Sequence, residues 1–455
     1  MLDFLIQLIT TPAVMLGLVA LVGLLIQRKN AADVTKGTLK TILGVLILSA
    51  GAGVIVQYLS PFATIFTEGF HLTGVVPFDE AVIGALSEKV PEIARNGSLI
   101  LALGFVTNII LARFSPYKYI FLTGHMLWIM SGALAWAFYD LGYSTVQAVL
   151  WGSMIQGIAC VLFPALAQPI MRKITGSSDI GYGHFTTAGV VLSAGVGKLV
   201  GNPKKSTEDM KMPKSLEFFK DTAVSISCVM VLIYLISVLM AGPEFVKTIS
   251  DGQNWIVFAI VQGLGFAAGV LILLQGVRMF LGEIVPAFRG IAQKLVPGAT
   301  PALDCPVVFA FAPNALIIGF LSSIVGMVIG MLVSRTFGEV VPLPSIIGGF
   351  FTGGIAGIFG NALGGRRGAI VSGVIYGLVL TIPVALFFPM YGLETYGVTG
   401  IALLLSDALI VLSGVKLLDS LHILPIVVPV IIVALIALGV IRKSQKQGKS
   451  KTESV

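Results

Sequence analysis

The stretch TILGVLILSAGAGVIVQY, residues 41–58, decides the fold of this chain. It runs for 18 residues without a single charged side chain. An α-helix rises about 1.5 Å per residue, so a helix of this length extends roughly 27 Å, close to the thickness of the hydrocarbon layer of a bilayer. We therefore predict that these residues form a membrane-spanning helix.

Similar apolar runs recur along the whole chain. Apolar residues make up 56% of it, charged residues only 11%, and the mean hydropathy is +0.97. An average soluble protein carries about 25% charged residues. We predict an all-α integral membrane protein, and the first run is not expected to be a cleaved signal peptide because its basic residues follow it. The eleven expected transmembrane helices are 12–27, 41–58, 98–112, 119–139, 145–171, 223–241, 255–276, 316–333, 346–364, 370–392 and 422–441.

The basic residues predict the orientation. With the N terminus outside and the C terminus in the cytoplasm, 24 of the 29 lysines and arginines fall in cytoplasmic segments. Cytoplasmic loops of membrane proteins carry such an excess. The net charge of +7 therefore indicates loops at a membrane and not a nucleic-acid-binding surface, and Gly365-Arg366-Arg367 and the basic tail are interpreted as topology anchors.

Two further apolar stretches, 178–200 and 399–418, are irregular in sequence. Counting either one as a full crossing would reverse the charge assignment, so we predict that both are re-entrant hairpins. Non-helical backbone at membrane depth is tolerated only where it is buried in protein or lines a water-filled cavity. Such segments are therefore expected to border a substrate path.

The chain carries a weak internal repeat. Gly44-Val45-Leu46-Ile47-Leu48 recurs as Gly269-Val270-Leu271-Ile272-Leu273, and Gly51 matches Gly276 at the same offset. Five spans in each half require the second copy to be inverted, an arrangement typical of secondary transporters. We expect a first repeat over 1–222, a second over 223–421, and a final span with a basic tail over 422–455.

Two acidic residues are the first candidates for a binding site, since a charge at membrane depth is costly and usually functional. Asp79, followed by Glu80, lies in GVVPFDEA, and Asp304 lies in GATPALDCP. The two aspartates are separated by the repeat offset, so an inverted repeat would bring them to one pocket, where carboxylates accept hydrogen bonds from hydroxyls. The alternative is that Asp79 and Glu80 are solvated in an outer loop.

Histidines supply the second set of candidates. His125 lies in FLTGHM and His184 in GYGHF, and imidazole can both donate and accept hydrogen bonds to hydroxyls. Each could instead bond a neighbouring backbone carbonyl. Two histidines in separate segments, with three scattered cysteines, give no indication of a metal site. We expect no cofactor, no ATP-binding loop and no catalytic residue, and an intramembrane enzyme is disfavoured because no catalytic motif is present.

The sequence also resembles a known family, the ascorbate-specific IIC components of the bacterial phosphotransferase system. The resemblance covers nearly the whole chain. It is carried by KGTLKTILGVLILSAGAGV (36–54), FLTGHM (121–126), DIGYGH (179–184), KSTEDMKMP (205–213) and QGVRMFLGEIVPAFRGIAQKLVPGATPALDCPVVFAFAPNA (275–315).

The resemblance implies a mechanism and partners. Members of the family are homodimers in the bacterial inner membrane, with eleven transmembrane segments and two re-entrant hairpins. They transport by an elevator-like movement of a core domain, and a cytoplasmic IIB protein, served by IIA, phosphorylates the substrate. The resemblance thus implies a transport component and not an enzyme.

The resemblance also implies substrate-contacting residues. They are Asp79, Glu80, His125, Met126, Leu127, Trp128, Ile129, His184, Phe185 and Asp304. Ascorbate transporters of the family have glutamine at the positions of Ile129 and Phe185 and serine at that of Ala52. These differences leave open L-ascorbate, a related sugar acid or a pentitol as substrate. An ion-coupled secondary transporter, with Asp79 and Asp304 as ion sites, is the alternative function.

Overall fold

The computed structural model describes residues 12–71, 73–210, 222–309, 311–336 and 340–452. Within them the chain is mostly helical. The helices are α1 (Pro12–Ile26), α2 (Ala31–Phe70), α3 (Asp79–Lys89), α4 (Pro91–Phe114), α5 (Gly124–Asp140), α6 (Thr145–Thr175), α7 (Thr187–Val200), α8 (Thr222–Ala241), α9 (Pro243–Ile249), α10 (Trp255–Leu295), α11 (Cys305–Phe309), α12 (Pro313–Ser334), α13 (Ile346–Gly348), α14 (Gly354–Val379), α15 (Ile382–Tyr391), α16 (Ser406–Ser420) and α17 (Leu424–Thr452).

Local sequence explains where several helices begin and end. Asn30 precedes α2, and its side chain accepts a hydrogen bond from Asp33 N at 2.8 Å. Ser144 and Gln147 form a capping box at the start of α6, which ends at Gly176 with φ of +71°. Such caps satisfy the backbone groups that a helix end leaves without partners.

The membrane character of the chain is confirmed. Seven helices in the described part of the chain are long and apolar enough to cross a membrane, or eight if the bent pair α8 and α9 counts as one span. The expected spans 12–27 and 119–139 fall on α1 and α5, helices of 15 and 17 residues. The expected spans 346–364 and 370–392 fall within one helical run, Ile346–Tyr391. The number of eleven spans stays a prediction.

Six short strands were not anticipated from the sequence. They form two parallel three-stranded sheets, β5-β1-β6 and β2-β4-β3. Each sheet takes its central strand from one half of the chain and both outer strands from the other half. The strands are β1 (Thr73–Pro77), β2 (Tyr119–Phe121), β3 (Gly181–Tyr182), β4 (Thr300–Leu303), β5 (Val340–Pro342) and β6 (Ile401–Ala402).

The two segments predicted as hairpins have the same local plan. Stretch 178–200 contains β3 followed by α7, and stretch 399–418 contains β6 followed by most of α16. With 14 and 15 residues, these helices extend only about 21–23 Å, which is shorter than the roughly 30 Å of a hydrocarbon core. Their re-entrant character stays a prediction, and their length is compatible with it.

A reciprocal contact joins the two copies of the repeated pentapeptide. A Cβ atom placed on Gly51 of α2 would lie 2.4 Å from the backbone nitrogen of Leu273. A Cβ atom placed on Gly276 of α10 would lie 2.3 Å from the backbone nitrogen of Leu48. Each glycine therefore allows close approach of the two helices where α2 crosses α10. The two contacts are equivalent under the repeat, because Gly276 corresponds to Gly51 and Leu273 to Leu48, each 225 positions later.

Most of the long helices pack in three sets. Helices α1, α2, α8 and α10 pack against one another, while α7, α12 and α14 pack together, as do α4, α5 and α6. The second and third sets form a core around the two sheets together with α3 and α15, and α2 of the first set also touches β1. The charged residues considered next all lie at the ends of strands in this sheet-containing core.

The helix crossing yields a stability prediction. Gly276→Ala should destabilise the protein by about 1–3 kcal/mol, the usual effect of overpacking, because the added methyl group would collide with the backbone of α2. Thermal unfolding of the protein in detergent measures this effect. Gly53→Ala, in α2, is the matched control, since a Cβ atom there meets nothing within 4 Å. Equal melting temperatures of the two variants would contradict the close crossing.

Candidate functional site

The sheet β2-β4-β3 brings three predicted site residues to one edge. Asp304 directly follows β4, His184 comes two residues after β3, and His125 comes four residues after β2. The three strands are parallel, so their carboxyl ends meet at the same edge. Side chains that lie far apart in the sequence therefore converge, as they do at the strand ends of other parallel sheets.

The geometry of this cluster leaves room for a ligand. His125 Nδ1 lies 3.8 Å from Asp304 Oδ2, and His184 Nε2 lies 4.0 Å from Asp304 Oδ1. These separations exceed hydrogen-bonding distance. The Asp304 side chain is 34% exposed, so a ligand can reach it. A hydroxyl group placed between the carboxylate and an imidazole could bond to both.

The His184 ring is held in place by its neighbours. Its Nδ1 lies 2.9 Å from Thr186 Oγ1, which also lies 2.9 Å from the hydroxyl of Tyr182. The Tyr182 ring stacks on the imidazole at an interplanar angle of 18°. His184 thus bonds to a hydroxyl and not to a backbone carbonyl, and this bond leaves Nε2 facing Asp304.

Asp79 occupies the corresponding position beside the other sheet, and its surroundings differ. It follows β1, and its Oδ1 accepts hydrogen bonds from Leu404 N at 2.8 Å and Leu405 N at 3.2 Å. Asp79 is 3% exposed and Glu80 9%, so the alternative that both are solvated in a loop is wrong. Asp79 secures the start of α16, and its contact with substrate stays a prediction.

Glu80 follows Asp79 in the first turn of α3 and is also buried. Its contact with substrate stays a prediction.

A second buried aspartate, Asp407, was missed from the sequence. Its Oδ2 accepts a hydrogen bond from Thr187 N at 2.9 Å, and its Oδ1 accepts one from Ala188 N at 2.8 Å. In turn, Asp407 N donates to Phe185 O at 3.1 Å. The carboxylate thus caps α7 from the first turn of α16, where the positive ends of two helix dipoles meet. The burial-cost rule that selected Asp304 would have found Asp407 in the apolar stretch LLLSDALIV.

The remaining predicted residues pack into the core. Ile129, Met126 and Leu127 are buried. Phe185 is also buried and stacks on Phe121, with ring centroids 4.6 Å apart. Trp128 lines a separate cavity of about 200 Å³, together with residues such as Ser49, Glu88 and Ser98. None of these five is brought into the cluster, and their contact with substrate stays a prediction.

The cluster also has the composition of a metal site, which the separate sequence positions of the histidines did not indicate. The candidate ligand atoms of His125, His184 and Asp304 all lie within 4.8 Å of one another. On a tetrahedral zinc ion, ligand atoms are roughly 3.3 Å apart, given Zn–N distances of about 2.0 Å. The three side chains would have to close in before they could hold such an ion, whereas a bridging hydroxyl fits the present spacing.

Asp407 yields a testable prediction. Asp407→Asn should lower the free energy of unfolding by about 1.5–3 kcal/mol, because an amide cannot accept from both Thr187 N and Ala188 N as a carboxylate does. Thermal unfolding in detergent measures the change. Asp209→Asn, at an exposed position, serves as the control. An unchanged melting temperature of Asp407→Asn would show that the carboxylate does not hold α7 and α16 together.

Comparison with known proteins identifies the family of this chain. Residues 7–407 match the family described as "PTS system sugar-specific permease component". A curated relative from Mycoplasma pneumoniae, named "Ascorbate-specific PTS system EIIC component", is 29% identical over 426 residues. The match covers 82% of this chain and 64% of the relative, so this chain spans less than two thirds of the relative's length. The family match extends over most of the chain, including every candidate site residue, and the chain therefore belongs to the sugar-specific permease components of the phosphotransferase system.

Proposed function

We propose that this protein binds L-ascorbate, or a closely related sugar acid, and carries it across the bacterial inner membrane. A separate cytoplasmic IIB protein, supplied by IIA, then phosphorylates the substrate. The observation that carries the proposal is the partly open cluster of His125, His184 and Asp304 at the edge of the sheet β2-β4-β3. The name of the Mycoplasma relative supports the choice of substrate.

The chemistry of the cluster suits a polyhydroxylated ligand. The Asp304 carboxylate accepts hydrogen bonds, and the imidazoles of His125 and His184 donate or accept according to tautomer. A substrate hydroxyl seated in the gap of about 4 Å would replace water on both kinds of group. An analogue that lacks this hydroxyl would leave the buried His184 without a hydrogen-bond partner. The cost of that unpaired group is what discriminates against the analogue.

The choice between ascorbate and other polyols rests on the same groups. Phe185 is stacked on Phe121, and Ile129 is fully buried, so neither supplies a polar contact. Glutamines at these positions would add amides that this chain lacks. Recognition here would therefore depend more strongly on His125, His184 and Asp304, and a sugar acid related to ascorbate or a pentitol are the alternative substrates to be tested.

An inverted repeat is the architecture that we propose for transport, with eleven spans divided at 1–222, 223–421 and 422–455. The reciprocal packing of Gly51 on Leu273 and Gly276 on Leu48 supports it, as does the exchange of strands between the two sheets. The two strand–helix units, β3 with α7 and β6 with α16, are the proposed re-entrant hairpins.

We also propose an orientation with the N terminus outside and the C terminus cytoplasmic. Contacts between segments predicted to lie on the same face support the grouping of segments on which it depends. Lys118 Nζ bonds to Pro297 O, and Lys40 Nζ bonds to Glu283 Oε1, each pair within segments predicted to be cytoplasmic. Lys416 Nζ bonds to Asp140 Oδ2, both in segments predicted to be outside. In each of the three contacts, both partners lie in segments that the distribution of basic residues assigned to the same face of the membrane.

An elevator-type movement in a homodimer is the proposed mechanism. Packing is denser within the α2–α10 group than between that group and the sheet-containing core, which supports a core that holds the site and shifts as one body. Movement of rigid parts around a binding site at mid-depth is the usual form of alternating access.

The site makes a binding prediction. Asp304→Asn should abolish measurable binding of L-ascorbate to the detergent-purified protein, because it removes the charged acceptor that faces both histidines across the proposed site. Isothermal titration measures this binding. The control is Asp419→Asn, whose partner Tyr143 lies at the proposed outer face. Addition of EDTA should leave binding by the unaltered protein unchanged. Full binding by Asp304→Asn would remove this residue from the site, and loss of binding in EDTA would indicate a metal.

The transport class makes a second prediction. Vesicles that contain the protein should accumulate phosphorylated substrate only when phosphoenolpyruvate, the general phosphoryl-transfer proteins of the system, IIA and IIB are all present, and a protonophore should not prevent accumulation. Labelled ascorbate uptake measures both conditions. Accumulation against a gradient without these partner proteins, abolished by the protonophore, would instead establish the ion-coupled alternative.

A further inference from the structure

A cavity of about 240 Å³ lies at the C-terminal end of α7, far from the cluster of His125, His184 and Asp304. Three of its lining residues are basic, and none is acidic. Its complete lining is Val200, Gly201, Asn202, Lys205, Gly364, Arg366 and Arg367. We call it the basic pocket.

The wall of the basic pocket is formed by two backbone segments clamped together. Asn202 N donates to Gly364 O at 2.7 Å, and Arg366 N donates to Lys205 O at 2.8 Å. Between these two bonds, Gly365 adopts φ of +61° and interrupts α14. A Cβ atom on Gly365 would lie 2.2 Å from Asn202 O, so only glycine fits this position.

Side-chain hydrogen bonds reinforce these two backbone contacts, and none of them neutralises the positive charge of the pocket. Arg366 Nε donates to Ser206 O at 2.9 Å, which fixes its guanidinium, and Asn361 Oδ1 accepts from Thr207 N at 2.9 Å. Lys205 and Arg367 make no side-chain hydrogen bond or ion pair with any residue that the structure describes. Their donors therefore remain available at the rim of the cavity.

The arrangement goes beyond what membrane orientation requires. Basic residues that only anchor a cytoplasmic loop need no fixed geometry. Here a glycine in an unusual conformation and two backbone hydrogen bonds hold Lys205, Arg366 and Arg367 around one concavity. Mutual repulsion of three like charges is relieved by an anion, and guanidinium groups bind phosphate with matched, bidentate geometry.

We propose that the basic pocket binds the phosphate group of a phosphate ester. The ester is either a soluble one, such as the phosphorylated product of the proposed reaction, or the headgroup of an anionic lipid. Its role in transport rests on the proposed function, which puts phosphoryl transfer on this face. Helix α7 links the two places, since His184 lies just before it and Gly201 just after it, about 21 Å along the helix.

The test measures phosphate binding directly on the full chain in a neutral, lipid-free detergent. Phenyl phosphate is titrated calorimetrically into the unaltered protein, Lys205→Gln and Arg367→Gln. Saturable binding that weakens about tenfold in each variant is expected, since each loses one charge-assisted hydrogen bond. Lys204→Gln is the matched control, because this exposed neighbour carries the same charge and does not line the cavity. Arg366 is left unaltered because it forms part of the clamp.

A second arm distinguishes the two sources of phosphate. The titration is repeated in nanodiscs of phosphatidylcholine with and without phosphatidylglycerol. Undiminished binding of phenyl phosphate beside phosphatidylglycerol assigns the pocket to a soluble ester, and its displacement assigns the pocket to a lipid headgroup. No saturable binding in detergent, or equal affinities in Lys205→Gln, Arg367→Gln and Lys204→Gln, would overturn the proposal.

The same samples are titrated with L-ascorbate, which keeps the two proposals separable. Retained ascorbate binding alongside absent phosphate binding would reject the basic pocket and leave the transport function standing. Retained phosphate binding alongside absent ascorbate binding would support the basic pocket and reject L-ascorbate as the substrate.

Discussion

The hydrocarbon core of a bilayer offers no hydrogen-bond partner to a broken helix, and the centre of this protein is built around that constraint. At several helix ends in the sheet-containing core, a strand or a carboxylate supplies the missing partner. The two sheets pair the interrupted backbone, Asp79 accepts from Leu404 N and Leu405 N, and Asp407 accepts from Thr187 N and Ala188 N. At Asp304 the facing histidines stay 3.8 and 4.0 Å away, and the proposed binding site lies in this gap.

Asp79 and Asp304 show how similar positions can serve different purposes. Both follow the central strand of a sheet. Asp79 is closed in by backbone donors, whereas Asp304 faces His125 and His184 across gaps too long for hydrogen bonds. The difference arises from the segment opposite. In one sheet it presents peptide nitrogens, and in the other it presents an imidazole whose second nitrogen is already bonded to Thr186.

Much of this organisation could be predicted from the sequence, because it follows from the cost of placing polar groups in a membrane. Apolar runs indicated the helices, and the same cost selected Asp304, His125 and His184 as site candidates. The strands could not be predicted, because two to five residues show no periodicity and their partners lie in the other half of the chain. The burial of Phe185 against Phe121 also depends on packing that no local pattern encodes.

The exchange of strands between the sheets has a consequence for the order in which the protein can be assembled. Strand β1 pairs with β5 and β6, and the bond from Leu404 N to Asp79 spans 325 residues. The first half of the chain therefore leaves the ribosome with its central strand and its aspartate unpaired. Synthesis must pass β6 before the first sheet can close, so neither half can complete its core alone and the two must mature together.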